Sequence, residues 1–280
     1  MEARARRAGL GGRHGRYPCS IAIRTQVDAG SRGWSTPLKG MIFAAGRGTR
    51  LGALGESCPK ALIEIAGQTM LERTVRSVTA AGADLIVVNV HHHAEAIERF
   101  IGSHDLGVEI RVSREIERPL ETGGGLLQAR DLLGRDGPLL LHNVDVICEA
   151  ALGPLCGSLE STGALAVLAM QPRASRRQLL FDDAGLYGRE DQGKGVRVET
   201  RTPRGSARAL AFTGIHVCAP RLLDMITERG VFSIVDVYLR LAREGHSIQP
   251  WLLPEGMWME IGSPERLADA RERLEGRSRG

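Results

Sequence analysis

A chain of 280 residues with 42% hydrophobic content can bury a substantial core and makes one large domain or two small ones, at roughly 100 to 200 residues per domain. Its longest apolar runs, such as ALAVLAM at 164–170, have the length of buried strands and fall short of the roughly 18 residues that span a bilayer, which excludes a helical membrane protein. The net charge of +4 is uneven: residues 1–37 carry +5, seven arginines against Glu2 and Asp28, and the remainder −1; that near-neutral body, in a chain with 4% aromatic residues, lacks the electrostatic footprint and the stacking platforms of a nucleic-acid partner.

Residues 1–38 are Gly- and Arg-rich without hydrophobic periodicity. They read as a disordered extension, with a transit peptide or a start placed too early as the alternatives. Cys19, Cys58, Cys148, Cys156 and Cys218 are odd in number, widely spaced and without a C-x-x-C pair. That pattern points to reduced thiols in a cytoplasmic protein.

From Lys39 the chain alternates. GMIFAA, DLIVVNV, GVEIRVS and GPLLLHNV read as strands, and TMLERTVRSVTAAG, AEAIERFIGS and GLLQARDLLG between them carry helical spacing. Gly82 and Gly134 fall where helices should end. Near-continuous apolar strands are buried on both faces, which predicts a three-layer α/β/α fold of Rossmann-like type around a mixed, mainly parallel sheet. Beyond residue 150, GALAVLAM, RQLLFDDAGLYGR, KGVRVET and RALAFTGIHV suggest antiparallel strands, with a turn at 182–185. Helices return at about 219–243 and 263–275. One domain over 39–280 is expected, with a first half at 39–150 and a second at 151–280.

The stretch KGMIFAAGRGTRLG at 39–52 turns from a strand into glycine and arginine. Gly46 and Gly48 let backbone N–H groups approach an anion, Thr49 adds a hydroxyl, and Arg47 and Arg50 add charge. As a dinucleotide motif it is poor: the third glycine, Gly52, comes one residue late, and Glu72 lies inside a predicted helix. GREDQGK at 188–194 has phosphate-loop spacing, but Gly195 stands where Ser or Thr is needed, so it reads as a surface turn. The long loop after Gly52 ends in Pro59-Lys60, which suits a wrapped triphosphate with Lys60 as its cation.

MIFAAGRGTRL…PKALIEIAGQTMLE, followed in order by PLETGGGL, LLLHNVDV, AFTGIHV and MWMEIGSPERL, resembles the sugar-phosphate nucleotidyltransferase family, over nearly all of 39–275. The resemblance is nearest to its N-acetylmuramate-1-phosphate uridylyltransferase-like branch, through ETGGG. It implies an enzyme that joins a nucleoside triphosphate, best UTP, to a sugar-1-phosphate and releases pyrophosphate, with Mg²⁺ as cofactor. It assigns Arg50 and Lys60 to catalysis and Ala44, Ala45, Gly46, Gly48, Thr49, Asn89, Glu121, Thr122 and Gly123 to the nucleotide. Thr213 and Gly214 fall to the sugar phosphate, and Asp145 and Glu260 to the metal. Asp145 also suits a metal by position, at the end of an apolar run; an N-cap is the rival reading.

Several departures accompany the match. Val144 stands where the family often has glycine, Glu260 where it has aspartate, and VETRTPRG where it has an E-K-P lysine, for which Arg201 is the substitute. His91 is a candidate for the base pocket, whereas His92 and His93 suit a solvated loop. A binding regulator that has lost turnover and a mannose-1-phosphate guanylyltransferase-like enzyme are the alternatives. Monomer and homodimer both remain open.

Overall fold

The structure is a computed structural model that describes residues 37–277; the expectations for residues 1–36, and for Cys19, lie outside the described residues. In chain order the elements are β1 (Leu38–Phe43), α1 (Ala53–Ser57), β2 (Glu64–Ile65), β3 (Gln68–Thr69), α2 (Met70–Ala80), β4 (Ala83–Val90), α3 (Ala94–Ser103), β5 (Glu109–Arg114), α4 (Glu121–Leu133), β6 (Leu139–Asn143), β7 (Val146–Cys148) and α5 (Gly153–Thr162). After them come β8 (Ala166–Gln171), β9 (Arg177–Asp182), β10 (Gly185–Asp191), β11 (Val196–Glu199), β12 (Arg208–Cys218), α6 (Leu222–Met225), α7 (Ile234–Arg243), β13 (Ile248–Leu252), β14 (Trp258–Glu260) and α8 (Pro264–Arg277).

The main sheet has the order β11-β10-β9-β12-β6-β1-β4-β5, with β8 against β12 and β13 against β8. β5, β4, β1 and β6 are mutually parallel. β12 is antiparallel to β6 and to β8, and β13 is parallel to β8. Six strands therefore point the same way, and their carboxyl ends share one edge of the sheet. Met41, Ile42, Val87, Val88, Leu140 and Leu141 are fully buried and alternate between two apolar layers, one on each face. This is the α/β/α arrangement expected of strands without a polar face.

Local signals explain the helices. Thr69 caps α2: its hydroxyl accepts from Glu72 N, and Glu72 reaches back to Thr69 N, a reciprocal cap. Gly134 ends α4 with φ of +70°. The stretch 219–243 is not one helix, because α6 and α7 are separated by an irregular segment that contains Gly230. α5 arises from GPLCGSLEST, where glycine and serine mask the periodicity. The Asp182–Gly185 turn closes the β9–β10 hairpin as expected. GREDQGK is the end of β10 and a turn in which the Asp191 carboxylate accepts from Gly193 N and Lys194 N. Among the described residues, no helix is long and apolar enough to cross a membrane, and Cys58, Cys148, Cys156 and Cys218 are free thiols.

Candidate active site

At the shared carboxyl edge the loops after β1, β4, β5 and β6 enclose a cleft of about 250 Å³. Ala44, Ala45 and Gly46 form one wall; Asn143, Val144 and Asp145 form another; Lys60, Glu121 and Thr122 complete it. In an open α/β sheet this is where ligands gather.

The glycine loop is built by close backbone approach. Gly48 has φ of +67°, and a Cβ on Gly55 would come within 2.3 Å of Gly48 O, so these two glycines interlock. Gly46 has open space where its side chain would be, which leaves its backbone facing the cleft. Thr49 and Arg50 begin a 3-10 turn at Thr49–Leu51. The Arg50 guanidinium lies against Gly262, where an added Cβ would stand 3.1 Å from it. The loop is thereby joined to the segment that follows Glu260.

Pro59 precedes the 3-10 turn at Lys60–Leu62 and accepts from Leu62 N at 2.8 Å. This aims Lys60 across the cleft, where Nζ donates to Asp145 Oδ2 at 2.7 Å. Asp145 sits in the two-residue link between β6 and β7. Its carbonyl accepts from Ile261 N at 2.9 Å, and Val146 pairs in register with Glu260 in the antiparallel β7–β14 ribbon. The backbone of Asp145 is therefore brought next to that of Glu260 and Ile261 although 115 positions separate Asp145 from Glu260. The Glu260 carboxylate is paired with Arg266 and lies outside the cleft wall.

Of the residues expected at the nucleotide, Ala44, Ala45, Gly46, Asn89, Glu121 and Thr122 line the cleft, and Gly48, Thr49 and Gly123 stand outside its lining. Asn89 is only 2% exposed, and both ends of its amide are engaged: Oδ1 accepts from Ala44 N at 2.8 Å, and Nδ2 donates to Glu115 Oε1 at 2.6 Å. Glu115 Oε2 in turn accepts from Leu120 N at 2.8 Å. Burial raises the Glu115 carboxyl above its ordinary value, against the lowering effect of those hydrogen bonds. This buried relay joins the ends of β1 and β4 to the loop before α4.

The three glycines of ETGGG serve packing. Gly123 N and Gly124 N both donate to Phe232 O, at 3.0 and 3.2 Å. A Cβ on Gly123 would meet the Phe232 ring at 2.5 Å, one on Gly124 would meet Gly230 O, and one on Gly125 would strike Asn89 and Glu115. Gly123, which the resemblance assigns to the nucleotide, has its N–H engaged by Phe232 O. Glu121 holds a left-handed conformation with φ of +59°, and Thr122 Oγ1 accepts from Ile234 N at 3.0 Å.

On the sugar side, Thr213 is 1% exposed and its hydroxyl donates to Ala169 O at 2.7 Å; it is not free to meet a substrate. Gly214, with φ of +82°, packs so closely on Asn143 that a Cβ would lie 2.5 Å from Nδ2. Arg201 forms a bidentate pair with the fully buried Asp182 carboxylate and donates to Gly185 O. Gly185 lies beside Ile248, which pairs with Ala166 at the start of β8. Arg201 thus stands at the edge opposite the cleft. His91 Nδ1 bonds to Glu115 O, and His93 Nε2 makes an exposed hydrogen bond to Glu56 O in α1. Sequence reasoning missed Asn143, Glu115, Trp258 and Arg173, none of which carries a local signal.

Among the described residues, no three His, Cys, Asp or Glu side chains converge as a ready metal cage. Asp145, on the cleft wall, suits Mg²⁺, which takes one or two carboxylates and fills its octahedron with phosphate oxygens and water; the second candidate, Glu260, is paired with Arg266 outside that wall.

The nucleotidyl transferase family matches residues 39–277. The N-acetylmuramate alpha-1-phosphate uridylyltransferase of Caulobacter vibrioides is 31% identical over 85% of this chain and 97% of its own length. A mannose-1-phosphate guanyltransferase of Gibberella zeae is 29% identical over 81% of this chain, which spans 62% of the fungal protein. Among solved structures, a UDP-glucose pyrophosphorylase complexed with UDP-glucose superposes with a TM-score of 0.68 at 16% identity, over 86% of this chain and 99% of its own. The inositol-1-phosphate CTP transferase of T. maritima gives 0.63 at 15%, over 85% and 96%. With the family matched across the whole described fold, the chain belongs to the nucleotidyl transferase family, among its sugar-phosphate nucleotidyltransferases.

Proposed function

We propose that this enzyme transfers the uridylyl group of UTP to N-acetylmuramate-1-phosphate and releases pyrophosphate. The observation that carries the reading is the meeting of Lys60 and Asp145 at 2.7 Å on the wall of the cleft that begins at Gly46. The choice of UTP and of an N-acetylmuramate phosphate rests on the Caulobacter vibrioides relative, which this chain covers almost end to end.

In this reading a phosphate oxygen of the acceptor attacks the α-phosphorus of UTP. A new P–O bond forms as the bond to the β-phosphate bridge oxygen breaks, and pyrophosphate departs with that electron pair. No covalent enzyme intermediate is required, so catalysis is positioning and charge neutralisation. The backbone at Ala45, Gly46 and Gly48 and the hydroxyl of Thr49 cradle the triphosphate, while Arg50 and Lys60 offset its charge. Glu121 and Thr122 border the base, and Gly214 lets the backbone approach the sugar. Asp145 and Glu260 are the residues to hold Mg²⁺, which when bound neutralises phosphate charge; Lys60 and Arg266 then exchange their carboxylates for phosphate. The free thiols agree with a cytoplasmic enzyme.

The test is pyrophosphate release from the four nucleoside triphosphates paired with N-acetylmuramate, N-acetylglucosamine and mannose 1-phosphates. The reading expects the highest kcat/KM for UTP with N-acetylmuramate-1-phosphate. Preference for GTP with mannose-1-phosphate would replace it, and tight binding without turnover across the panel would indicate a regulator.

A further inference from the structure

The acceptor's phosphate needs a cation, and Arg201 is held by Asp182 at the far edge of the sheet. Another guanidinium stands at the correct edge. Arg173 follows Gln171, the last residue of β8, and β8 runs parallel to β13 and in the same sense as β6. Its guanidinium carbon lies 4.2 Å from the centre of the Trp258 ring, a stacking that orients the planar group. Trp258 Nε1 donates to Thr213 O at 2.9 Å. The next residue, Gly214, packs on Asn143 in the cleft wall. Trp258 also shares β14 with Glu260, two residues on. The chain of contacts from Arg173 to the cleft is therefore Trp258, Thr213, Gly214 and Asn143.

Arg173 is short of acceptors. Nη1 donates only to the neighbouring Ala174 O at 3.4 Å, and the buried Nε has no hydrogen-bond partner. Among the described residues no carboxylate pairs with Arg173; burial disfavours its charge, and so does a second cation nearby, Arg266. Arg266 has the Glu260 carboxylate as its partner, so Arg173 is left as a guanidinium without a counter-charge. A doubly charged phosphate supplies the missing acceptors.

We propose that Arg173, oriented by Trp258, is the binding residue for the phosphate of the acceptor sugar-1-phosphate. The inference rests on the nucleotidyl-transfer reading, and it names the group that performs the task first expected of Arg201. It also gives Trp258 a role: a shelf that holds the guanidinium plane while its indole N–H fixes the strand beside Gly214.

Calorimetric titration tests this without turnover. The full chain, loaded with Mg²⁺ and α,β-methylene-UTP, is titrated with N-acetylmuramate-1-phosphate, with N-acetylglucosamine-1-phosphate and with unphosphorylated N-acetylglucosamine. Arg173→Gln is expected to weaken both sugar phosphates about tenfold or more, to leave the nucleotide analogue within about twofold, and to leave the neutral sugar unaffected. Arg173→Met keeps an aliphatic stem on Trp258 and decides the matter if the glutamine variant melts early; Arg201→Gln is expected to change neither affinity. Equal sugar-phosphate binding by wild type and a folded Arg173 variant overturns the proposal alone. A wild-type protein that binds the analogue but neither sugar phosphate overturns both the proposal and the acceptor class on which it rests.

Discussion

Lys60 and Asp145 are 85 positions apart in the chain and 2.7 Å apart in the fold. One is delivered by the turn after Pro59 and the other by the link between β6 and β7, and their pair closes the cleft between the glycine loop and the ribbon that carries Glu260. Neither group is fully buried, with side chains 12% and 20% exposed, so an incoming cation or phosphate can take either partner. Asp145→Asn and Lys60→Met are each expected to lower kcat by about two to three orders of magnitude. The double variant should fall little below the worse single one, because both act on the same charges. Steady-state kinetics of the three variants checks this; multiplicative losses would show that the residues act separately.

The Glu115 relay gives a second prediction. Glu115→Gln replaces an acceptor-only group with an amide that must turn one donor toward Asn89 Nδ2 or Leu120 N. The loop before α4 then loses its tie to Ala44. The KM for the nucleoside triphosphate is expected to rise about tenfold with the KM for the sugar phosphate within twofold, and Glu115→Asp should recover part of it. A nucleotide KM that stays at the wild-type value would leave the relay without a functional role.

ETGGG illustrates what a local reading can and cannot find. Alternating apolar runs announced the strands, and Gly82 and Gly134 announced helix ends, because those signals lie within a few residues of what they determine. The reason for Gly123 and Gly124 lies over a hundred positions away, in Phe232 and Gly230, and that for Gly125 in Asn89 and Glu115, where no local pattern reaches. The same is true of Arg201, whose partner Asp182 turns it from a candidate ligand into a clamp, and of Asn143, which matters only because Gly214 packs upon it. The strand order that brings β12 beside β6 was likewise hidden, since it depends on register across the sheet.

Gly123→Ala should therefore destabilise the fold by about 1 to 3 kcal/mol through overpacking on Phe232. Phe232→Ala alone opens a cavity, but in combination with Gly123→Ala it is expected to recover part of the loss. Denaturant midpoints of the two singles and the double measure the coupling; simple additivity would contradict the contact.

Two buried histidines predict acid sensitivity. Burial pushes His142 down to about 4 and His216 down to about 3, and both His216 ring nitrogens lack partners. The folded protein thus binds fewer protons than the unfolded chain, where histidine titrates near 6.5. Stability is whole above that value and falls as pH drops through it, by about 1.4 kcal/mol per pH unit for each histidine. His216→Phe retains an aromatic ring beside Phe212 and Tyr238, and its stability between pH 6 and 4.5 should fall less steeply by about one proton. An unchanged slope would place the acid sensitivity elsewhere.

In the proposed reaction the acceptor phosphate itself attacks the α-phosphorus in this cleft. Incubating the protein with UTP, Mg²⁺ and N-acetylmuramate-1-phosphate carrying ¹⁸O in its phosphate, followed by mass spectrometry, reads that directly. All of the label is expected to remain in the UDP-sugar and none to enter pyrophosphate, whereas label in pyrophosphate, or no UDP-sugar at all, would contradict it.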